Sequence, residues 1–113
     1  MPGDKLKVLF VCSRNRRRSS TAEQIFSRSE RFTPRSRGLS FNAVRVLDTA
    51  DVYWADVIVV MELDHKRQIL HAHREAVGHR PIHVLNIPDE YPFMDPELID
   101  LIVVGVRAVL GSA

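Results

Sequence analysis

The chain has 113 residues, of which 45% are hydrophobic and 27% are charged. This length suits one compact domain, and the composition excludes the disordered and fibrous classes of protein. The formal net charge is only +2, but four of the five residues from 14 to 18 are arginine, which indicates an anionic partner.

The longest apolar runs, residues 8–12 and 57–61, are far shorter than the ~20 residues that span a bilayer, so no membrane span is expected. The first residues lack the apolar core and cleavage site of a secretory signal, which predicts a cytoplasmic protein. The single cysteine, Cys12, has no partner for an internal disulfide. It is therefore either a packed side chain or a reactive thiol.

The first predicted element is a strand over residues 5–11, whose β-branched and aromatic side chains are typical of a strand buried in a parallel sheet. A helix is predicted after the basic stretch that follows, with Ser20 and Glu23 as a candidate capping box. The apolar residues at near-helical spacing are Ala22, Ile25, Phe26 and Phe32.

Pro34 and Gly38 leave room for only a brief strand between them. The next predicted element is a short helix within residues 47–54, with Asp48 or Thr49 as its N-cap.

The second half of the chain begins with another buried strand, over residues 56–61. A helix over residues 64–76, with Ile69 and Leu70 facing inward, and a strand over residues 82–85 follow it.

Asp95 followed by Pro96 is the expected N-cap and first position of a last helix. The apolar face of this helix comprises Leu98, Leu101, Ile102, Val106 and Val109. Strands that alternate with helices predict the α/β class, in a single domain over residues 1–113, with a parallel sheet and right-handed crossovers.

The chemistry of the sequence centres on the segment after the first strand. Parallel sheets bind ligands beyond the carboxyl ends of their strands, and Cys12 stands at such an end, just before a helix N-terminus that favours anions. Arg18, six positions later, is spaced to grip two oxygens of a phosphate with its planar guanidinium. Loop amides, Arg18 and the Ser19 hydroxyl are candidates to stabilise a reactive Cys12 thiolate.

Residues 12–19, CSRNRRRS, resemble the C-x5-R-S phosphate loop of the low-molecular-weight protein tyrosine phosphatases, and they follow the first strand as in that family. Ser36-x-Gly38 is similar to the family's turn after the first helix, and residues 55–62 are similar to its third strand. The resemblance implies a three-layer domain with a four-stranded parallel sheet flanked by helices. It also implies a phosphatase that hydrolyses phosphate monoesters, phosphotyrosine or aryl phosphates, through a phosphocysteine intermediate and without a cofactor.

The resemblance also implies roles for individual residues. Cys12 is the expected nucleophile, Arg18 the phosphate-binding arginine and Asp89 the general acid. The expected substrate-binding residues are Ser13, Arg14, Asn15, Arg16, Arg17, Ser19 and Tyr91, the last as an aromatic wall. Asn15 is expected to shape the loop through a left-handed backbone or local hydrogen bonds.

Two alternatives to Asp89 stay open at this point. Glu90 stands where the family's acid loop has proline, and Asp95 also precedes a proline, although helix capping explains Asp95 fully. The segment between Gly38 and the next helix is short, which predicts a more open pocket than the family has.

The expected partners are a phosphorylated protein or a small phosphate ester, with inorganic phosphate as the product, rather than nucleic acid. The histidines at positions 71, 73, 79 and 83 lack the spacing of zinc ligands, so no metal site is predicted. A rival interpretation is a non-catalytic module that binds a phosphate of a phosphoprotein or nucleic acid without turnover.

Overall fold

The computed structural model of the protein describes residues 4–111. The elements, in chain order, are β1 (Leu6–Cys12), α1 (Arg18–Ile25), β2 (Phe32–Gly38), α2 (Thr49–Trp54), β3 (Val57–Val60), α3 (Leu63–Val77), β4 (Ile82–Val84) and α4 (Pro96–Leu110). The strands form one parallel sheet in the order β2-β1-β3-β4. The predicted α/β domain with a four-stranded parallel sheet is therefore confirmed.

Strand β1 lies inside the sheet and buries both of its faces. Val8, Phe10 and Cys12 belong to a core that includes residues of α1 and α4. Leu9 and Val11, on the opposite face, belong to a second core that includes residues of α2 and α3. Helices thus cover both faces of the sheet, which explains why β1 is apolar at almost every position. None of the helices within residues 4–111 has the length and apolar character that a membrane span requires.

The predicted capping box of the first helix is wrong. Helix α1 begins at Arg18, and its N-cap, Arg17, makes no side-chain capping hydrogen bond. Ser20 lies inside the helix, and the carboxylate of Glu23 accepts hydrogen bonds from the backbone N–H and the hydroxyl of Ser36, at 2.8 and 2.7 Å. Glu23 thus joins α1 to β2 instead of closing the helix end.

The second strand is longer than predicted. It spans seven residues, begins at Phe32, which the sequence placed on the first helix, and contains Pro34. Strand β2 is an edge strand paired only with β1. Proline is tolerated there because only alternate N–H groups of an edge strand bond to a neighbour.

Two predicted helix starts are confirmed. Asp48 caps α2, where its side chain accepts a hydrogen bond from the N–H of Ala50. Asp95 caps α4, where one carboxylate oxygen accepts from the N–H groups of Glu97 and Leu98 at 3.0 and 3.3 Å. The carboxylate of Asp95 is therefore occupied by hydrogen bonds to the first turn of α4.

Candidate active site

The sulfur of Cys12 lies at the base of a loop that joins β1 to α1. Cys12 is buried, and its Sγ accepts a hydrogen bond from the backbone N–H of Asn15 at 3.3 Å. The Oγ of Ser19, in the first turn of α1, lies 3.0 Å from the same sulfur. Both contacts place a donor against the sulfur, and hydrogen bonds to a charged acceptor are stronger than those to a neutral one. The sulfur of Cys12 therefore has a backbone N–H and a hydroxyl group within hydrogen-bond distance.

Asn15 gives the loop its shape. Its φ of 57° is left-handed, a backbone conformation that asparagine adopts more readily than most residues. Its side-chain Nδ2 donates a hydrogen bond to Ser19 Oγ at 2.8 Å. The same hydroxyl can donate to the sulfur of Cys12, at 3.0 Å, or to the backbone oxygen of Arg37, at 3.4 Å, and the sulfur is the nearer of the two.

The guanidinium of Arg18 is buried, with only 2% of the side chain exposed. Its Nη1 donates to the carboxylate of Glu62 and to the backbone oxygen of Ile87, the latter at 2.7 Å. Its Nε has no hydrogen-bond partner and lies 3.8 Å from a carboxylate oxygen of Asp89. An unpartnered N–H on a buried cation fits an anionic ligand, because buried donors are normally satisfied.

Sequence reasoning missed two residues that support the loop, Glu62 and His65. The Nδ1 of His65 accepts a hydrogen bond from the backbone N–H of Glu62 at 3.1 Å, so the ring proton is on Nε2, which lies 3.1 Å from Ser13 Oγ. Burial, and then the charge of Arg18, lower the pKa of His65 below its ordinary value of 6.5. Both residues follow the carboxyl end of β3, and residues at such strand ends are candidates for a ligand site in a parallel sheet. That position in the sequence could have identified them.

The segment after β2 holds the outer side of the loop. The N–H groups of Leu39, Ser40 and Val44 donate to the carbonyl oxygens of Cys12, Ser13 and Arg14, at 3.0, 2.8 and 3.1 Å respectively. These three carbonyl oxygens are therefore engaged outside the loop.

A cavity of about 110 Å³ opens above the loop. The residues that line it are Cys12, Arg14, Arg16, Arg17, Arg18 and Asp89. Of the other predicted substrate-binding residues, Ser13, Asn15 and Ser19 support the loop with their side chains instead of lining the cavity. Tyr91 does not line it either, and its hydroxyl donates to the carboxylate of Glu97 at 3.0 Å.

The three candidate acids occupy different places. The side chain of Asp89 is half-exposed and lines the cavity together with the sulfur of Cys12. Glu90 is exposed and is absent from the cavity lining, and Asp95 caps α4. Within the described part of the chain, no group of three or more histidine, cysteine or acidic side chains could hold a metal ion.

Several solved structures share this fold. The tyrosine phosphatase Wzb from Escherichia coli K30, in complex with phosphate, matches with a TM-score of 0.73 and 20% identity over 93% of this chain and 96% of that chain. SP-PTP, a low molecular weight protein tyrosine phosphatase from Streptococcus pyogenes, matches with a TM-score of 0.75 and 20% identity over 93% of this chain and 91% of that chain. The YwlE arginine phosphatase from Geobacillus stearothermophilus matches with a TM-score of 0.67 and 20% identity over 91% of this chain and 92% of that chain.

The chain therefore has the fold of the low-molecular-weight protein tyrosine phosphatases. At 20% identity the likeness establishes the fold alone. No protein-family model and no curated protein sequence matches the chain.

A methyl group at Gly38 is expected to displace the loop. A Cβ there would lie 2.5 Å from the Cβ of Ala43 and 2.8 Å from the carbonyl oxygen of Ser13. We expect Gly38→Ala to lower the free energy of unfolding by about 1 to 3 kcal/mol, as overpacking does, and to weaken phosphate binding. Urea unfolding and calorimetry measure the two effects.

Gly105→Ala is the matched control, because the nearest atoms to its Cβ would be side-chain atoms of Leu85, at 3.0 to 3.5 Å, and none of them is a backbone atom. Alanine also favours the helix. Equal stability of the Gly38→Ala and Gly105→Ala proteins would contradict the close packing described for the loop.

His65 is expected to make stability fall in acid. Its pKa is lowered in the folded protein, so its contribution is present above pH 6.5 and is lost as the pH falls below that value and through the folded pKa. Protonation would also turn Nδ1 into a donor facing the N–H of Glu62. We expect His65→Gln to flatten the pH dependence of the free energy of unfolding between pH 7 and pH 4, measured by urea titration at each pH.

The control for this experiment is His71→Gln, at an exposed position on α3, which should keep the wild-type slope. A His65→Gln slope equal to that of wild type would show that other groups cause the acid sensitivity.

Proposed function

We propose that the protein is a cysteine-dependent phosphatase that hydrolyses phosphate monoesters through a phosphocysteine intermediate. The observation that carries the proposal is the pairing of two features in one small cavity. One is the Cys12 sulfur with donors from Asn15 and Ser19, and the other is the buried Arg18 with an unpartnered Nε. A thiolate beside an arginine and a loop of free N–H groups suits nucleophilic attack on a bound phosphate.

In the first step, the Cys12 thiolate attacks phosphorus, and the S–P bond forms as the ester P–O bond breaks. Arg18 and the loop N–H groups stabilise the negative charge on the three equatorial oxygens, which is the main task of a protein in phosphoryl transfer. The leaving oxygen receives its proton from the carboxyl group of Asp89. The place of Asp89 at the cavity supports this role, and the engagement of Asp95 at a helix end speaks against the alternative.

In the second step, a water molecule attacks the phosphocysteine, and the Asp89 carboxylate accepts its proton. The S–P bond breaks, inorganic phosphate leaves, and Cys12 returns as a thiolate. Ser19 assists this step because its hydroxyl, 3.0 Å from the sulfur, stabilises the negative charge that the leaving sulfur acquires. One carboxyl group thus serves as acid and then as base.

The proposed substrates are aryl phosphates, including phosphotyrosine, either free or on a protein. The neighbours in fold include proteins described as tyrosine phosphatases and as an arginine phosphatase, and one of them was solved with phosphate bound. This range supports phosphate release as the general reaction. We place the reaction in the cytoplasm, where a single catalytic thiol stays reduced.

The assignment of Asp89 is tested with two substrates of different leaving groups. We expect Asp89→Asn to lower kcat for phosphotyrosine by about 10² to 10⁴-fold, the usual contribution of general acid catalysis. For p-nitrophenyl phosphate the effect on the first step should be much smaller, since nitrophenolate leaves without a proton. Steady-state and burst kinetics at mildly acid pH measure both effects.

Two further variants complete this test. Cys12→Ser should abolish turnover of both substrates while phosphate still binds, and Asp95→Ala should keep kcat while the free energy of unfolding falls by about 1 kcal/mol through the lost cap. A well-folded wild type that binds phosphate and hydrolyses neither substrate would favour the non-catalytic binding module instead.

A further inference from the structure

Three arginines line the cavity with side chains that take no part in holding the fold together. These rim arginines, Arg14, Arg16 and Arg17, line the cavity and are exposed. Within residues 4–111 their side chains make no hydrogen bond or ion pair, whereas Arg35 and Arg37 bind the carboxylate of Asp51 and so join β2 to α2. The positive charge of the rim is therefore left available to a ligand.

The cavity contains no aromatic wall that could select a substrate by stacking. None of its six lining residues is aromatic, and the hydroxyl of Tyr91 is engaged by Glu97. Phe41 is 92% exposed and is absent from the lining. Apart from Cys12 and Asp89, the lining residues are all arginines.

The arginines that line the cavity fall into two groups, one buried and one exposed. Arg18 is buried at the base of the cavity, where it serves the phosphate that lies against Cys12. The cavity is small, at about 110 Å³, and it opens to solvent beside the exposed arginines. Whatever the phosphate is attached to must therefore pass the rim. Guanidinium groups bind both carboxylates and phosphates in a bidentate manner. A phosphate group carries about −1.5 to −2 charges against one for a carboxylate, which makes a second phosphate the better match for three arginines.

We propose that the substrate carries a second phosphate group next to the scissile one, and that the rim arginines hold it while Arg18 holds the first. This inference rests on the proposed function for the identity of the reacting phosphate. It adds the class of substrate, a compound with two neighbouring phosphates, and it assigns the rim arginines to specificity and not to the chemical step.

The first test measures binding, which does not depend on turnover. The probes are phenylphosphonate and benzene-1,3-diphosphonate, compared by calorimetry. Because the diphosphonate carries two equivalent phosphonate groups, statistics alone make its binding constant twice that of phenylphosphonate. We expect wild type to prefer it by about tenfold or more at low salt, because each exposed ion pair contributes a few-fold and three arginines act together. High salt should reduce the preference, because it screens exposed charges.

The decisive variant is the triple change Arg14→Gln, Arg16→Gln and Arg17→Gln, in which the preference should fall to about twofold. A control triple with the same net charge, Arg28→Gln, Arg74→Gln and Arg107→Gln, changes exposed arginines outside the cavity lining and should keep the wild-type preference. A third probe, 3-carboxyphenylphosphonate, should bind less tightly than the diphosphonate. Any of three results would overturn the proposal. They are a wild type that prefers the diphosphonate only twofold, a rim variant that keeps the wild-type preference, and binding of 3-carboxyphenylphosphonate as tight as that of the diphosphonate.

The second test measures phosphate release from phenyl phosphate and from benzene-1,3-diyl bisphosphate. A preference in binding and in kcat/KM, both lost in the rim variant, supports the two proposals together. A binding preference without phosphate release would support the second-phosphate site and contradict the phosphatase. Phosphate release with no preference for the bisphosphate would support the phosphatase and overturn the second-phosphate site.

Discussion

The charge of Arg18 is buried at the carboxyl end of the sheet, and a buried charge must be paired and hydrogen-bonded to be tolerated. The partners come from two other parts of the chain: the carboxylate of Glu62, which follows β3, and the backbone oxygen of Ile87, which follows β4. Arg18 itself starts α1. One guanidinium thus joins three segments and fixes their relative positions before any ligand binds. Catalytic electrostatics depend on such preorganisation, since groups that are already oriented need no rearrangement during the reaction.

The loop around Cys12 is held in the same way on its other sides. His65 joins Ser13 to the backbone N–H of Glu62, so the residue next to Cys12 and the partner of Arg18 share one imidazole. On the outer side, the close approach of Gly38 leaves no room for a side chain. The supporting contacts thus engage the carbonyl oxygens of Cys12, Ser13 and Arg14, and four arginines line the cavity. An anion is the ligand that this arrangement favours.

The sequence predicts the sheet and the loop well, because both depend on local patterns: buried strands alternate with helices, and Cys12 stands between the first strand and the first helix. It fails where a side chain acts over a long separation. Glu23 looks like a capping residue, yet it binds Ser36 on the neighbouring strand. Glu62 is 44 residues from Arg18 in sequence, and His65 is 52 residues from Ser13, so no spacing within a motif could pair them.

Formation of phosphocysteine is the central claim, and trapping it is the most direct test. The Asp89→Asn protein is mixed with p-nitrophenyl phosphate and quenched in acid within one turnover, and its peptides are analysed by mass spectrometry. The first step stays fast because nitrophenolate needs no proton, while hydrolysis is slow without the base. The account predicts a burst of nitrophenol equal to the enzyme concentration and phosphate on Cys12. Turnover with no phosphate on Cys12 at any quench time would contradict it.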